Sequence, residues 1–77
     1  MRSKRDELRS QIDEVDQNIM DLIEYRMDLM DLISIWCQQN YIDFKDPKRA
    51  KEVIENYTDT LGSVGVTLSS FVLGLDF

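Results

Sequence analysis

The sequence contains no histidine, one cysteine (Cys37) and one proline (Pro47). Without histidine, mechanisms that need a histidine general base are excluded, and so are the usual Cys/His zinc sites. A lone cysteine cannot form a disulfide within the chain, so a disulfide-stabilised scaffold is excluded as well. We therefore expect neither a metal ion nor another cofactor.

Long apolar runs are also missing from the sequence. No stretch reaches the length that spans a bilayer, and no apolar segment of a secretory signal follows the charged N-terminal residues. The formal net charge of −6 argues against nucleic acids and anionic membranes as partners, because both favour basic proteins. These features predict a cytoplasmic protein that binds neither.

Apolar residues are nevertheless plentiful, at 43% of the 77 residues. A chain of this length forms one domain, here residues 1–77, and buries only a modest share of its apolar surface. The combination of a short chain and many apolar residues favours an oligomer.

The N-terminal half carries a heptad pattern, in which apolar residues recur at alternating steps of four and three. These seam residues are Leu8, Ile12, Val15, Ile19, Leu22, Leu29, Ile33 and Trp36. Neither proline nor glycine interrupts residues 1–46, so we predict a helix from about Lys4 to Gln39, roughly 50 Å long at about 1.5 Å per residue. The rest of the chain is too short to cover it, and we therefore expect a homodimer.

Two further helices are predicted, which makes the fold all-α with three helices per chain. Asp46 is a preferred N-cap and Pro47 a preferred first residue of a helix that ends at Gly62. Residues 63–65 are expected to form a short connection before a third helix that begins near Thr67. Its inward-facing residues are expected to be Leu68, Phe71, Val72 and Leu75.

Arg26 is the one residue that violates the heptad seam. A guanidinium at an apolar position is costly unless it is paired or binds an anion. Arg26 therefore either snorkels, pairs with a carboxylate such as Asp16 of a neighbouring helix, or faces a small anionic ligand. Cys37 lies eleven residues, about three turns, further on and shares the same helix face. Without a histidine to activate it, Cys37 is expected to be a small buried residue and not a nucleophile.

Two other arginines are candidates for a binding site. Arg9 stands beside the seam, where an arginine is ordinarily solvated. Arg49 lies in the first turn of the second helix, where a cation opposes the helix dipole. It either forms a surface salt bridge with Asp46 or Glu52, or it has a functional reason to be there.

Taken together, these residues resemble the AroQ class of chorismate mutases over about residues 7–57. The matching segments are Leu8-Arg9-x-x-Ile12-Asp13-x-x-Asp16-x-x-Ile19, Leu22-Ile23-x-x-Arg26 and Asp46-Pro47-x-Arg49-x-x-x-Val53-Ile54-Glu55. The resemblance implies an entwined type II-like dimer of three-helix chains. It also implies the rearrangement of chorismate to prephenate, an isomerisation in aromatic amino acid biosynthesis that needs no nucleophile, metal or proton shuttle.

The resemblance further implies four substrate-binding residues. Arg9 resembles the arginine that reaches the partner chain's site and binds a substrate carboxylate, and Arg26 resembles the arginine that clamps the substrate within its own chain. Asp46 resembles a residue whose region contacts the substrate hydroxyl, and Arg49 resembles the arginine that opens the second helix beside the pocket.

Two positions depart from the family pattern. Cys37 replaces a lysine or arginine directed at the ether oxygen of the substrate, and Ala50 replaces a glutamate that holds the ring hydroxyl. Loss of one charge-stabilising donor typically lowers the rate by about 10²–10³. No catalytic residue is therefore assigned with certainty, and a degenerate active site is expected.

Several functions remain open at this stage. The chain is either a weak chorismate mutase, or a relative that acts on a modified chorismate, or a non-catalytic binding protein on the same fold. The expected ligand is a small chorismate-like dicarboxylate, and a shikimate-pathway enzyme is a candidate partner. Arg26 disfavours a bare dimerisation module, and Cys37 disfavours an isochorismate lyase.

Overall fold

The computed structural model describes residues 3–76, which form three α-helices and, within that range, no strand. The helices are α1 (Lys4–Gln39), α2 (Pro47–Leu61) and α3 (Ser63–Gly74). The predicted all-α, three-helix chain is thus confirmed. No helix in the described range is long and apolar enough to cross a membrane. Residues 1–2 and 77 of the predicted single domain lie outside the described residues.

Helix α1 has the predicted bounds, and local interactions explain both ends. The hydroxyl of Ser3 accepts a hydrogen bond from the backbone N–H of Asp6 at 3.2 Å, which caps the N-terminus. At the other end, the backbone N–H of Asn40 donates to the Trp36 carbonyl at 3.1 Å. Tyr41 then adopts a left-handed φ of 56°, which turns the chain away from the helix axis.

Helix α2 also has the predicted bounds. The carboxylate of Asp46 accepts a hydrogen bond from the backbone N–H of Arg49 at 3.1 Å, and Pro47 occupies the first helical position. Gly62 ends the helix, because its φ of 65° suits glycine and its N–H donates to the Thr58 carbonyl at 2.8 Å.

The predicted start of the third helix is wrong. Gly62 reverses the chain in one residue, and its carbonyl accepts a hydrogen bond from the N–H of Gly65 at 3.0 Å. Helix α3 therefore begins at Ser63, so residues 63–65 are its first turn and Thr67 lies inside it. Of the four residues predicted to face inward, Val72 is buried, whereas Leu68, Phe71 and Leu75 are exposed in the single chain.

Helices α2 and α3 form a tightly packed hairpin. The buried residues of α3 are Gly65, Ser69 and Val72, which recur at steps of four and three. A Cβ at Gly65 would lie 2.1 Å from the carbonyl oxygen of Tyr57, so only glycine permits this approach. Ser69 is fully buried and donates its hydroxyl to the Val66 carbonyl at 3.0 Å.

Helix α1 stands apart from this hairpin. Within the described residues, no Cα of α1 lies within 8 Å of a Cα of α2 or α3. The radius of gyration is 16.7 Å, against about 11–12 Å for a compact chain of this length. The accessible surface is 6649 Å², about 1,700 Å² more than expected for the mass. Every residue of the heptad seam is exposed in the single chain.

The close approach at Gly65 generates a stability prediction. We expect Gly65→Ala to lower the free energy of unfolding by about 1–3 kcal/mol, because the added methyl group must displace backbone atoms of α2. Urea denaturation followed by circular dichroism at one protein concentration measures the change.

The matched control is Gly74→Ala, at the last residue of α3. A Cβ there meets nothing within 4 Å, so we expect no loss and a gain of up to about 1 kcal/mol from helix propensity. Equal destabilisation by the two substitutions would contradict the proposed packing.

Candidate functional site

A groove of about 480 Å³ lies between the C-terminal half of α1, the connection that follows it, the start of α2 and the end of α3. We call it the central groove. Much of its wall is apolar, and these lining side chains are Leu29, Met30, Ile33, Trp36, Cys37, Ile42, Phe44, Ala50, Val53 and Leu73. Its volume falls within the range of small-molecule sites, roughly 300–1,000 Å³.

The central groove brings together five of the six positions singled out in the sequence. Arg26, Cys37, Asp46, Arg49 and Ala50 all line it. The sixth, Arg9, does not. It precedes Arg26 by seventeen residues on the same helix, which corresponds to about 25 Å.

Arg26 is held by a carboxylate of its own chain. Its Nη1 and Nη2 donate to Oδ1 and Oδ2 of Asp76 at 2.5 and 3.1 Å, a bidentate pair. The side chain of Asp76 is only 6% exposed and that of Arg26 28%. Hydrogen bonding to Asp76 raises the pKa of Arg26 above its ordinary value, and partial burial opposes this shift.

At the start of α2, the side chain of Asp46 caps the helix and the side chain of Arg49 forms an ion pair. Oδ1 of Asp46 accepts the backbone hydrogen bond that caps the helix. The guanidinium of Arg49 pairs with Glu52 at 3.2 Å, as one of the interpretations of the sequence anticipated. Both partners are at least half exposed, so this pair contributes little to stability.

The two departures from the expected pattern are neutral side chains in the groove wall. Cys37 is buried and is a free thiol, as predicted for a small packing residue. Ala50 is half-buried on the facing helix. Within the described residues, no group of three or more metal-ligating side chains is placed to hold an ion.

Charges in the central groove nearly balance. The lining residues include two arginines, Arg26 and Arg49, and three aspartates, Asp43, Asp46 and Asp76, which gives a formal charge of −1. The arrangement can hold carboxylate, hydroxyl and apolar parts of a small ligand, and the residue at position 37 is a cysteine and not a cation.

A family model described as chorismate mutase type II matches residues 8–70 of the chain. This protein belongs to the chorismate mutase type II family. The resemblance to the AroQ class is thereby confirmed, and the three-helix chain is consistent with that fold. No curated protein and no solved structure matches the chain significantly.

Asp76 is the site residue of this family member that the sequence interpretation missed. Pairing with a carboxylate was one of the three interpretations of Arg26, with Asp16 as the example, and the carboxylate comes instead from a position 50 residues away. The sequence did contain one signal for this residue, because Asp76 is the only charged residue after Asp59. The family match ends at residue 70, before this position.

The pair between Arg26 and Asp76 generates a second stability prediction. We expect Arg26→Gln to lower the free energy of unfolding by about 1–3 kcal/mol, because it leaves the buried carboxylate of Asp76 without its cation. The measurement is urea denaturation at a fixed protein concentration.

Arg49→Gln serves as the control, since it removes the same charge from an exposed pair with Glu52. That variant should lose less than about 0.5 kcal/mol. If Arg26→Gln and Arg49→Gln unfold at the same urea concentration, the stabilising ion pair of Arg26 with Asp76 is contradicted.

Proposed function

We propose that this protein is a homodimeric chorismate mutase-like protein whose central groove binds a chorismate-like dicarboxylate and whose mutase activity is weak or absent. One observation carries the proposal. In a chain of this family, Arg26, Arg49 and Asp46 line one groove, and Cys37 and Ala50 line the same groove where the family pattern has a cation and a glutamate.

The reaction itself explains why such a groove retains part of its function. The rearrangement is intramolecular and needs the dicarboxylate held in a compact conformation, which Arg26 and Arg49 support by binding its carboxylates. Asp46 offers its second carboxylate oxygen to a substrate hydroxyl. The chain is then an isomerase if it is active, and it acts on chorismate or a modified chorismate in the cytoplasm.

Stabilisation of the transition state is the part that the groove lacks. Negative charge grows on the ether oxygen as the bond breaks, and a fixed cation there stabilises it most in low-dielectric surroundings. The short neutral thiol of Cys37 supplies no such charge. Binding is therefore expected to survive better than catalysis.

The exposed surface supports the dimer. Two chains carry about 3,500 Å² more accessible surface than two compact chains of the same mass, and obligate homodimer interfaces bury roughly 2,000–5,000 Å². Entwined α1 helices would cover the seam of both chains. Such an arrangement also gives Arg9 a role in the site of the partner chain, because Arg9 lies too far along α1 to reach the groove of its own chain.

We expect sedimentation equilibrium at micromolar concentration to give the mass of two chains. Ile19→Lys should dissociate or unfold the protein, because it places a charge in the seam, which is exposed only in the single chain. Asn18→Lys adds the same charge beside the seam and should leave the dimer intact. A stable folded monomer of the unaltered protein would contradict the proposed dimer.

Catalysis gives a separate test in a chorismate-depletion assay. Cys37→Lys should raise the rate by up to about 10²-fold, since it restores a cation in the groove wall. Adding Ala50→Glu should raise it further, because the two side chains hold different parts of one substrate. Cys37→Met is the matched control, with added length and no charge, and should not raise the rate.

The alternative is a non-catalytic binding or interaction protein on the same fold, with a shikimate-pathway enzyme as its candidate partner. It is favoured by the neutral residues Cys37 and Ala50 and by the pairing of Arg26 with Asp76. No gain in either activity variant would favour this alternative. Rapid turnover by the unaltered protein would mean that its catalytic cation lies elsewhere.

A further inference from the structure

We propose that Asp76 determines the ligand affinity of the central groove, because its carboxylate occupies the anion position of Arg26 and must be displaced by a ligand carboxylate. This inference rests on the proposed function, in which the groove binds a dicarboxylate. It adds a residue beyond the family match, which ends at residue 70.

The geometry of the pair supports the inference. Asp76 takes one hydrogen bond from each terminal nitrogen of Arg26, which is the arrangement by which a guanidinium binds any carboxylate. A ligand carboxylate cannot form the same two bonds while Asp76 remains. The Asp76 side chain is nearly buried, so its carboxylate lies within the groove wall and not on the outer surface.

Electrostatics supports it as well. While Asp76 neutralises Arg26, the remaining groove charges are one arginine, Arg49, and two carboxylates, Asp43 and Asp46. A dianionic ligand then meets a site of formal charge −1. With Asp76 displaced, the site has a formal charge of zero and an arginine with free donors.

The position of Asp76 permits this displacement. It lies two residues beyond Gly74, the last residue of α3, in a turn in which its N–H donates to the Leu73 carbonyl at 3.1 Å. A smaller cavity of about 120 Å³ adjoins the groove, and its lining includes Met27, Ser34, Asp76 and a second carboxylate, that of Asp31. Gly65 packs against Tyr57 and Ser69 bonds to Val66, so displacement of the Asp76 side chain leaves both of these interactions intact.

The cost of displacement appears as weakened binding. The apparent dissociation constant equals the intrinsic one divided by the fraction of molecules in which Arg26 is free. If the pair is open in about one molecule in ten, removal of Asp76 tightens binding about tenfold.

Titration calorimetry of the full chain with chorismate tests the proposal. Asp76→Asn should bind chorismate about tenfold more tightly than the unaltered protein. Asp43→Asn is the matched control, because it removes the same charge from the same groove without freeing Arg26. It should change the affinity by less than about threefold. Unchanged or weaker binding by Asp76→Asn, or equal tightening by both variants, would overturn the proposal.

A second measurement does not depend on chorismate. Phenylglyoxal labels free guanidinium groups, and peptide mass spectrometry compares Arg26 with Arg49 in the same molecule. Asp76→Asn should accelerate labelling of Arg26 several-fold relative to Arg49, whereas Asp43→Asn should not. If no variant binds chorismate but this acceleration occurs, the proposed function fails and the occupancy of Arg26 by Asp76 stands. Unchanged labelling overturns that occupancy itself.

Discussion

The apolar seam of α1 is not covered within its own chain, and the architecture depends on that constraint. A helix of 36 residues extends far beyond a hairpin of 15- and 12-residue helices. The hairpin is stabilised by its own packing at Gly65. Within residues 3–76 no Cα of α1 lies within 8 Å of a Cα of the hairpin helices, and side chains of all three helices line the central groove. The groove is thus the place where two separately organised parts of the chain meet. Any partner that covers the seam also fixes the position of α1, and with it the position of Arg26.

The helix ends were predictable from sequence because each depends on local chemistry. Asp46 and Pro47 set the start of α2, and Gly62 sets its end, through hydrogen bonds that span three or four residues. The start of α3 was not predictable in the same way. Gly62 ends one helix and immediately precedes the next. The sequence of residues 63–65 does not indicate that these residues begin a helix instead of forming a connection.

The candidate site likewise contains residues that local sequence spacing predicted and one residue that it did not. Arg26 and Cys37 were predicted to share a face because helical periodicity places them there, and the motif that opens α2 placed Arg49 and Ala50 beside them. The carboxylate that holds Arg26 follows no periodicity. Asp76 reaches it through the fold of the whole chain, so sequence spacing could indicate that a counter-charge was required but not which residue supplies it.

The two departures from the family pattern are best understood together. Cys37 and Ala50 line the same groove, and in the pattern that the chain resembles these positions carry opposite charges. Loss of only the cation would leave a partly buried glutamate with one fewer counter-charge, which is strongly unfavourable. Loss of both leaves the formal charge of the groove unchanged, so the fold tolerates the pair of substitutions. On the proposed function, the missing group is a positive charge beside the breaking bond of the substrate, and a charge balance across the groove cannot replace a charge at that point. On the proposed function, the groove therefore binds a dicarboxylate better than it accelerates its rearrangement.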